Sequence, residues 1–320
     1  MRKSSSRRGR VTTIFAGAAL ASLMSAASSA SAIAPAAIPA AVPAPAPESA
    51  AETSANDAPP QRGYDKPGYE LIWSDEFNRD GAPDAGKWSF DTFANKQGWF
   101  GGELQYYAAD RPENARVEDG RLIITARRES LSDRPDHGGQ AYSSARLSSV
   151  GKGEFTYGFF EVRAKLPCGL GLWPAIWTLG AEKPWPEGGS IDLMEFDQSG
   201  RAVLGTLHNL STEGKGGSGG RFPLADACDA FHNYQLSWTP QAIEFAVDGE
   251  VYHRYENAGT GIAQWPFDYP HYLILSLAIR PTIAEAEGSD AFFPARFEID
   301  HVRVYRPVAN DASGKVADMP

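Results

Sequence analysis

Apolar residues in this chain recur at every second position, in short runs broken by Gly, Pro and Asp clusters, and that alternation confines the chain to β structure. In Phe159–Leu166, one face carries Phe160, Val162, Ala164 and Leu166, while Glu161, Arg163 and Lys165 occupy the other. Tyr234, Leu236 and Trp238 alternate with Gln235 and Ser237 in the same way. Ile243, Phe245 and Val247 lead into Asp248-Gly249, a dipeptide that favours the positive φ angles of a tight hairpin, and Val251-Tyr252-His253 returns. Tyr272 to Ile279 is almost continuously apolar, as expected of a strand covered on both faces. No long segment shows a 3.6-residue period. The expectation is an all-β domain of two packed sheets.

The ends of the chain have a different character. Arg2, Lys3, Arg7, Arg8 and Arg10 precede an apolar run from Val11 to about Ala27, and Ala30-Ser31-Ala32 offers a small-residue cleavage site. Residues 1–32 therefore read as an export signal, directing the protein to the periplasm or the cell exterior and leaving no membrane span once removed. Residues 33–66 are rich in Ala and Pro, then polar, and read as a disordered linker. The domain is expected over 67–307, followed by a disordered tail, 308–320. Net charge is −10, and loss of the signal's five basic residues makes the mature chain −15. An acidic surface disfavours nucleic acid and polyanionic polymers and suits a neutral ligand. Cys168 and Cys228 lack metal-type spacing. An oxidising compartment permits them to bridge, and two buried thiols are the alternative.

The segment with the most chemical content is Gly188-Gly189-Ser190-Ile191-Asp192-Leu193-Met194-Glu195-Phe196-Asp197. On a regular strand Ser190 and Asp192 share a face, and Glu195 falls on the opposite, core side. One extra residue at the Leu193-Met194 step, a β-bulge, returns Glu195 to the face of Ser190 and Asp192. Burying an unpaired carboxylate is expensive, so the bulged register is expected.

This segment resembles the signature Glu-Ile-Asp-Ile-Met-Glu of glycoside hydrolase family 16, in the bulged form of its laminarinase-like members. Other stretches are similar in the same order: Leu71–Phe77, Lys87-Trp88, Glu103–Tyr107, Tyr157–Arg163, Trp173–Trp177, Trp265–Phe267 and Asp300–Tyr305. The resemblance implies a curved jelly-roll sandwich of the concanavalin A type, with a polysaccharide cleft on its concave face. It also implies roles: Glu195 as acid/base, Asp192 as the assisting residue, and Ser190 at the place of the nucleophile. A retaining glycosidase needs two carboxyl groups about 5–5.5 Å apart, and a neutral serine does not replace one of them.

Trp173 and Trp177 offer flat apolar surfaces for pyranose rings, unless they belong to the core. Glu103 lies on the segment similar to the family's cleft-side loop. Arg146 and His208 can reach sugar hydroxyls, or can serve as a carboxylate partner and a packing residue. The resemblance further implies a structural calcium away from the cleft, on Glu76, the backbone of Gly120, and Asp300; oxygen-only ligation suits that ion. No cofactor is expected for catalysis, and a monomer is expected.

Two other positions depart from the family pattern. Gly101-Gly102 stand before Glu103 where asparagine is usual, and Ala278–Thr282 replace a Gly-Gly and Trp segment. Two functions follow from the sequence. One is a glycosidase on a neutral β-1,3- or mixed-linked β-glucan, impaired or atypical at Ser190. The other is a β-glucan-binding protein without turnover.

Overall fold

A computed structural model describes residues 66–197, 201–310 and 316–317. The expected export signal, 1–32, and the expected linker as far as residue 65 lie outside the described residues. The strands, in chain order, begin with β1 (Tyr69–Asp75), β2 (Ser89–Phe90), β3 (Gln105–Tyr107), β4 (Ala115–Glu118) and β5 (Arg121–Ala126). They continue with β6 (Tyr142–Ser144), β7 (Arg146–Ser148), β8 (Glu154–Phe155), β9 (Gly158–Lys165) and β10 (Leu172–Gly180). Next come β11 (Ser190–Phe196), β12 (Ala202–His208), β13 (Ser218–Pro223), β14 (His232–Trp238) and β15 (Ala242–Val247). The last are β16 (Glu250–Glu256), β17 (His271–Ile279), β18 (Ala295–Pro307), β19 (Ala309–Asn310) and β20 (Val316–Ala317). Three short 3₁₀ turns are the only helical elements among the described residues.

Two eight-stranded antiparallel sheets form the sandwich. One runs β16-β15-β14-β9-β18-β5-β4 with β1 added on β18; the other runs β13-β12-β11-β10-β17-β7-β2 with β8 added on β17. The period-2 segments supply the facing layers. Phe160, Val162 and Ala164 on β9 lie beside Tyr234, Leu236 and Trp238 on β14, all essentially buried. From the other sheet, Leu273, Leu275 and Leu277 on β17 and Ile191 and Leu193 on β11 close the same core. Trp238 spans the layers: its ring stacks on Phe160 with centroids 6.1 Å apart and meets His271 of β17 edge-on at 5.2 Å. Its indole N–H donates to the Phe267 carbonyl at 3.0 Å, so the one polar atom of this large side chain is satisfied.

Asp248 and Gly249 both take positive φ, 49° and 87°, and turn β15 into β16 as the hairpin dipeptide requires. β17 is buried along nearly its whole length, as its apolar run predicts. Cys168 and Cys228 are joined in a disulfide, with Cα atoms 5.7 Å apart, which resolves the alternative of free thiols. Within residues 308–320, expected as a tail, β19 and β20 pair as a short antiparallel ladder.

Candidate active-site cleft

The second sheet has one face on the core and the other open to a cavity of about 750 Å³. Strand register decides which side chains line it. Ser190 on β11 sits opposite His208 on β12 and Leu179 on β10; two residues on, Asp192 sits opposite Thr206 and Trp177. The expected bulge is present. Ile176 pairs with Met194 while the adjacent Trp177 pairs with Asp192, so β11 advances two residues for one on β10. Leu193 and Met194 consequently both point into the core, at 1% and 0% exposure, and Glu195 returns to the cleft beside Asp192 and Ser190. Gly189 sets up this entry. Its φ is 69°, and a Cβ there would come within 2.7 Å of the Pro266 ring, so any side chain would displace the start of β11.

The carboxyls on the cleft floor are strongly perturbed. Glu195 is pushed up to about 7, first by burial and then by the nearby charge of Asp192. Asp192 is also raised by burial, against the pull of His208. His208 Nε2 lies 3.2 Å from Asp192 Oδ2, and this hydrogen bond holds the imidazole above its usual range. His208 is therefore a partner of the cleft aspartate rather than a packing residue. Asp192 Oδ1 is buried with no hydrogen-bond partner among the described residues.

Trp173 and Trp177 are half-buried on the cleft side of β10, not in the core. Trp177 donates its indole N–H to Ser276 Oγ at 3.1 Å. Arg146, on β7, lines the cleft and forms an ion pair with Asp91 at 2.8 Å. Its guanidinium sits between the Trp99 and Trp177 rings, 5.0 and 4.7 Å from their centroids. Glu103 is mostly buried, which pushes its carboxyl up, and it accepts a hydrogen bond from Gln105 Nε2 at 2.7 Å.

Sequence reasoning did not single out Trp99, Tyr107, Asp91 or Arg280 as site residues. Arg280 lies with its guanidinium 3.0 Å from the Trp173 ring centroid and is close enough to Glu195 and Glu103 to be electrostatically linked to both. The only signal for it was the departure of the Ala278–Thr282 segment from the family pattern.

A model of glycosyl hydrolases family 16 matches residues 103–302, which span β3 to β18 and every carboxyl of the cleft floor. The chain belongs to glycosyl hydrolase family 16. Its relatives include a β-glucanase of Rhodothermus marinus, 41% identical over 254 residues that cover 75% of this chain and 86% of the relative. Among solved structures it is similar to a non-specific endo-β-1,3(4)-glucanase of family 16: 46% identity, TM-score 0.72, covering 75% of this chain and 92% of that one. A glutamate-to-serine mutant of that glucanase presents 1,3-β-D-cellobiosyl-glucose at its active site; it is 47% identical with a TM-score of 0.69, covering 74% of this chain and 94% of the mutant.

The residues expected for calcium, Glu76, Gly120 and Asp300, lie on or beside strands of the sheet that contains β18, away from the cleft. Asp300 follows Ile299, which pairs with Leu122 just beyond the Gly120 turn, and precedes the part of β18 that pairs with the end of β1 at Asp75. The Glu76 carboxylate is taken by a two-pronged pairing with Arg303, at 2.9 and 2.8 Å. The Glu76 side chain is therefore engaged, and only its backbone carbonyl is left to offer an oxygen-only site. The Asp300 carboxylate lies 3.1 Å from His301 Nδ1 and 3.6 Å from Arg163.

Proposed function

We propose that this family 16 chain is an exported protein that holds a neutral β-1,3- or mixed-linked β-glucan in its cleft, and that its double displacement stalls at the first covalent step because Ser190 stands where the attacking carboxylate belongs. The observation that carries the reading is the cleft floor itself. Glu195 is kept protonated up to about neutral pH by burial and Asp192, as a leaving-group acid requires, in a cleft also lined by the indoles of Trp173 and Trp177.

What the floor lacks is an activated nucleophile. Ser190 is buried beside Asp192 and opposite His208; its hydroxyl is hydrogen-bonded to the Asp192 carboxylate, and His208 Nε2 is bonded to Asp192 rather than to the serine, so no imidazole base serves the hydroxyl. Nucleophile removal in other hydrolases lowers the rate on the order of 10⁴–10⁶-fold. The acid can donate its proton, but no glycosyl-enzyme ester can form on an oxygen of this kind. The oligosaccharide held by the serine-bearing mutant relative supports a second reading, dedicated glucan binding without turnover, which uses the same cleft and differs only in rate.

Export draws support from the disulfide, which suits an oxidising compartment. The proposed calcium, on Asp300 and the backbone oxygens of Glu76 and Gly120, would tie β1, the β4–β5 turn and β18 together and takes no part in the chemistry. The glucan reading is tested by incubating the mature protein with laminarin and measuring binding by calorimetry and new reducing ends in parallel. Binding with reducing ends close to the uncatalysed background is expected. Failure to bind refutes the glucan assignment, and rapid release refutes the stalled step.

A further inference from the structure

We propose that the floor of the cleft is a binding site for a divalent transition metal ion of the zinc class, held by His208 Nε2, Asp192 and Glu195. Ligand atoms of these three side chains all lie within 4.8 Å of one another. The set of one imidazole and two carboxylates is one that zinc accepts.

The closest pair already has the spacing of two ligands on one ion. Bonds of about 2.0–2.1 Å meeting at the tetrahedral angle put their outer atoms about 3.3 Å apart. His208 Nε2 and Asp192 Oδ2 are 3.2 Å apart, so an ion can replace the proton between them with almost no movement of either strand. β11 and β12 fix that distance, because they pair directly through Ser190↔His208 and Asp192↔Thr206. Glu195 closes the third position by a side-chain rotation, and the fourth is open to the cavity.

Asp192 supplies an independent indication. It is 6% exposed, lines the cavity, and its Oδ1 is buried without a hydrogen-bond partner. An unsatisfied buried carboxylate oxygen carries a desolvation penalty that a cation at the same carboxylate offsets. A divalent ion placed between Asp192 and Glu195 is matched in charge by their two carboxylates. An occupied site takes up the Glu195 carboxylate and fills the space in front of Ser190, so metal and glucan compete.

The test is a calorimetric titration of zinc chloride into the mature protein in a non-chelating buffer at about neutral pH, where the ligands can shed their protons. One equivalent is expected to bind, with affinity reduced roughly tenfold or more in each of His208→Ala, Asp192→Asn and Glu195→Gln. His232→Ala is expected to bind as the natural chain does. His232 also lies beside two aspartates, Asp226 and Asp248, and so reports adventitious surface binding. Circular dichroism melts without metal identify any variant that fails to fold, and the near-isosteric Glu195→Gln keeps the test decisive if the other two do. Absence of binding, or binding lost in His232→Ala and kept in Glu195→Gln, overturns the proposal. No glucan is present in this titration, so its failure leaves the glucan reading standing, and the reverse holds.

Discussion

Replacing Glu195 by Gln should stabilise the fold at alkaline pH and leave it almost unchanged in acid. The Glu195 carboxyl rises from an ordinary 4.5 to about 7, chiefly through burial and secondarily through Asp192. The folded chain then holds the proton more tightly than the unfolded chain does, and folding takes up a proton between those two values. Stability contributed by this group is intact below about pH 4.5, falls as pH rises, and is lost above about pH 7. At about 1.4 kcal/mol per tenfold change in proton affinity, the rise corresponds to about 3 kcal/mol. Glutamine has nearly the same shape and cannot ionise, so it escapes that loss. Any packing or hydrogen-bonding defect it introduces is present at every pH and cancels in the comparison. Urea unfolding of both proteins at about pH 4 and about pH 8.5 should show the variant gaining about 3 kcal/mol between the two conditions. A difference that does not change with pH refutes the reasoning. The readout needs no turnover, so it probes the acid even in a chain that does not cleave.

Trp173→Ala should weaken laminarin binding roughly tenfold or more in calorimetry with little change in melting temperature, because the side chain is half-exposed; unchanged affinity removes Trp173 from the binding wall. Replacing Cys168 and Cys228 by Ser should lower stability by about 4 kcal/mol on the chain-entropy account, given their separation of 60 residues, as read by urea midpoints. A midpoint equal to that of the natural protein contradicts it. Calcium added to chelator-treated protein should raise the melting temperature, and Asp300→Asn should abolish that rise; a melt indifferent to added calcium rules out the calcium site.

Much of the fold was legible because burial imposes a period. The alternation through Phe160, Val162 and Ala164 reappears as β9, and Asp248-Gly249 turns β15 into β16. The bulge beneath Glu195 was legible for an energetic reason: without it the carboxylate enters the core. What the sequence left open was set by contacts between distant segments. Whether Trp177 faced the core or the cleft depended on the register of β10 against β11, and whether His208 served packing or chemistry depended on which residue of β12 meets Ser190. Arg280 and Trp99 lie in loops whose course follows tertiary hydrogen bonds, such as Ile279 N–H to Gln105 Oε1, and no periodicity encodes those. The disulfide partners were known, but their proximity was not.

This family 16 cleft keeps the acid/base and assisting carboxyls, Glu195 and Asp192, and has Ser190 where the attacking carboxylate is expected, so Ser190→Glu is the decisive variant. The natural protein and the variant are assayed side by side for reducing-sugar release from laminarin, with retention of anomeric configuration followed by NMR. Ser190→Glu is expected to cleave with retention on the order of 10⁴-fold or more faster than the natural chain. Vigorous cleavage by the natural protein, or no gain in the folded variant, contradicts it.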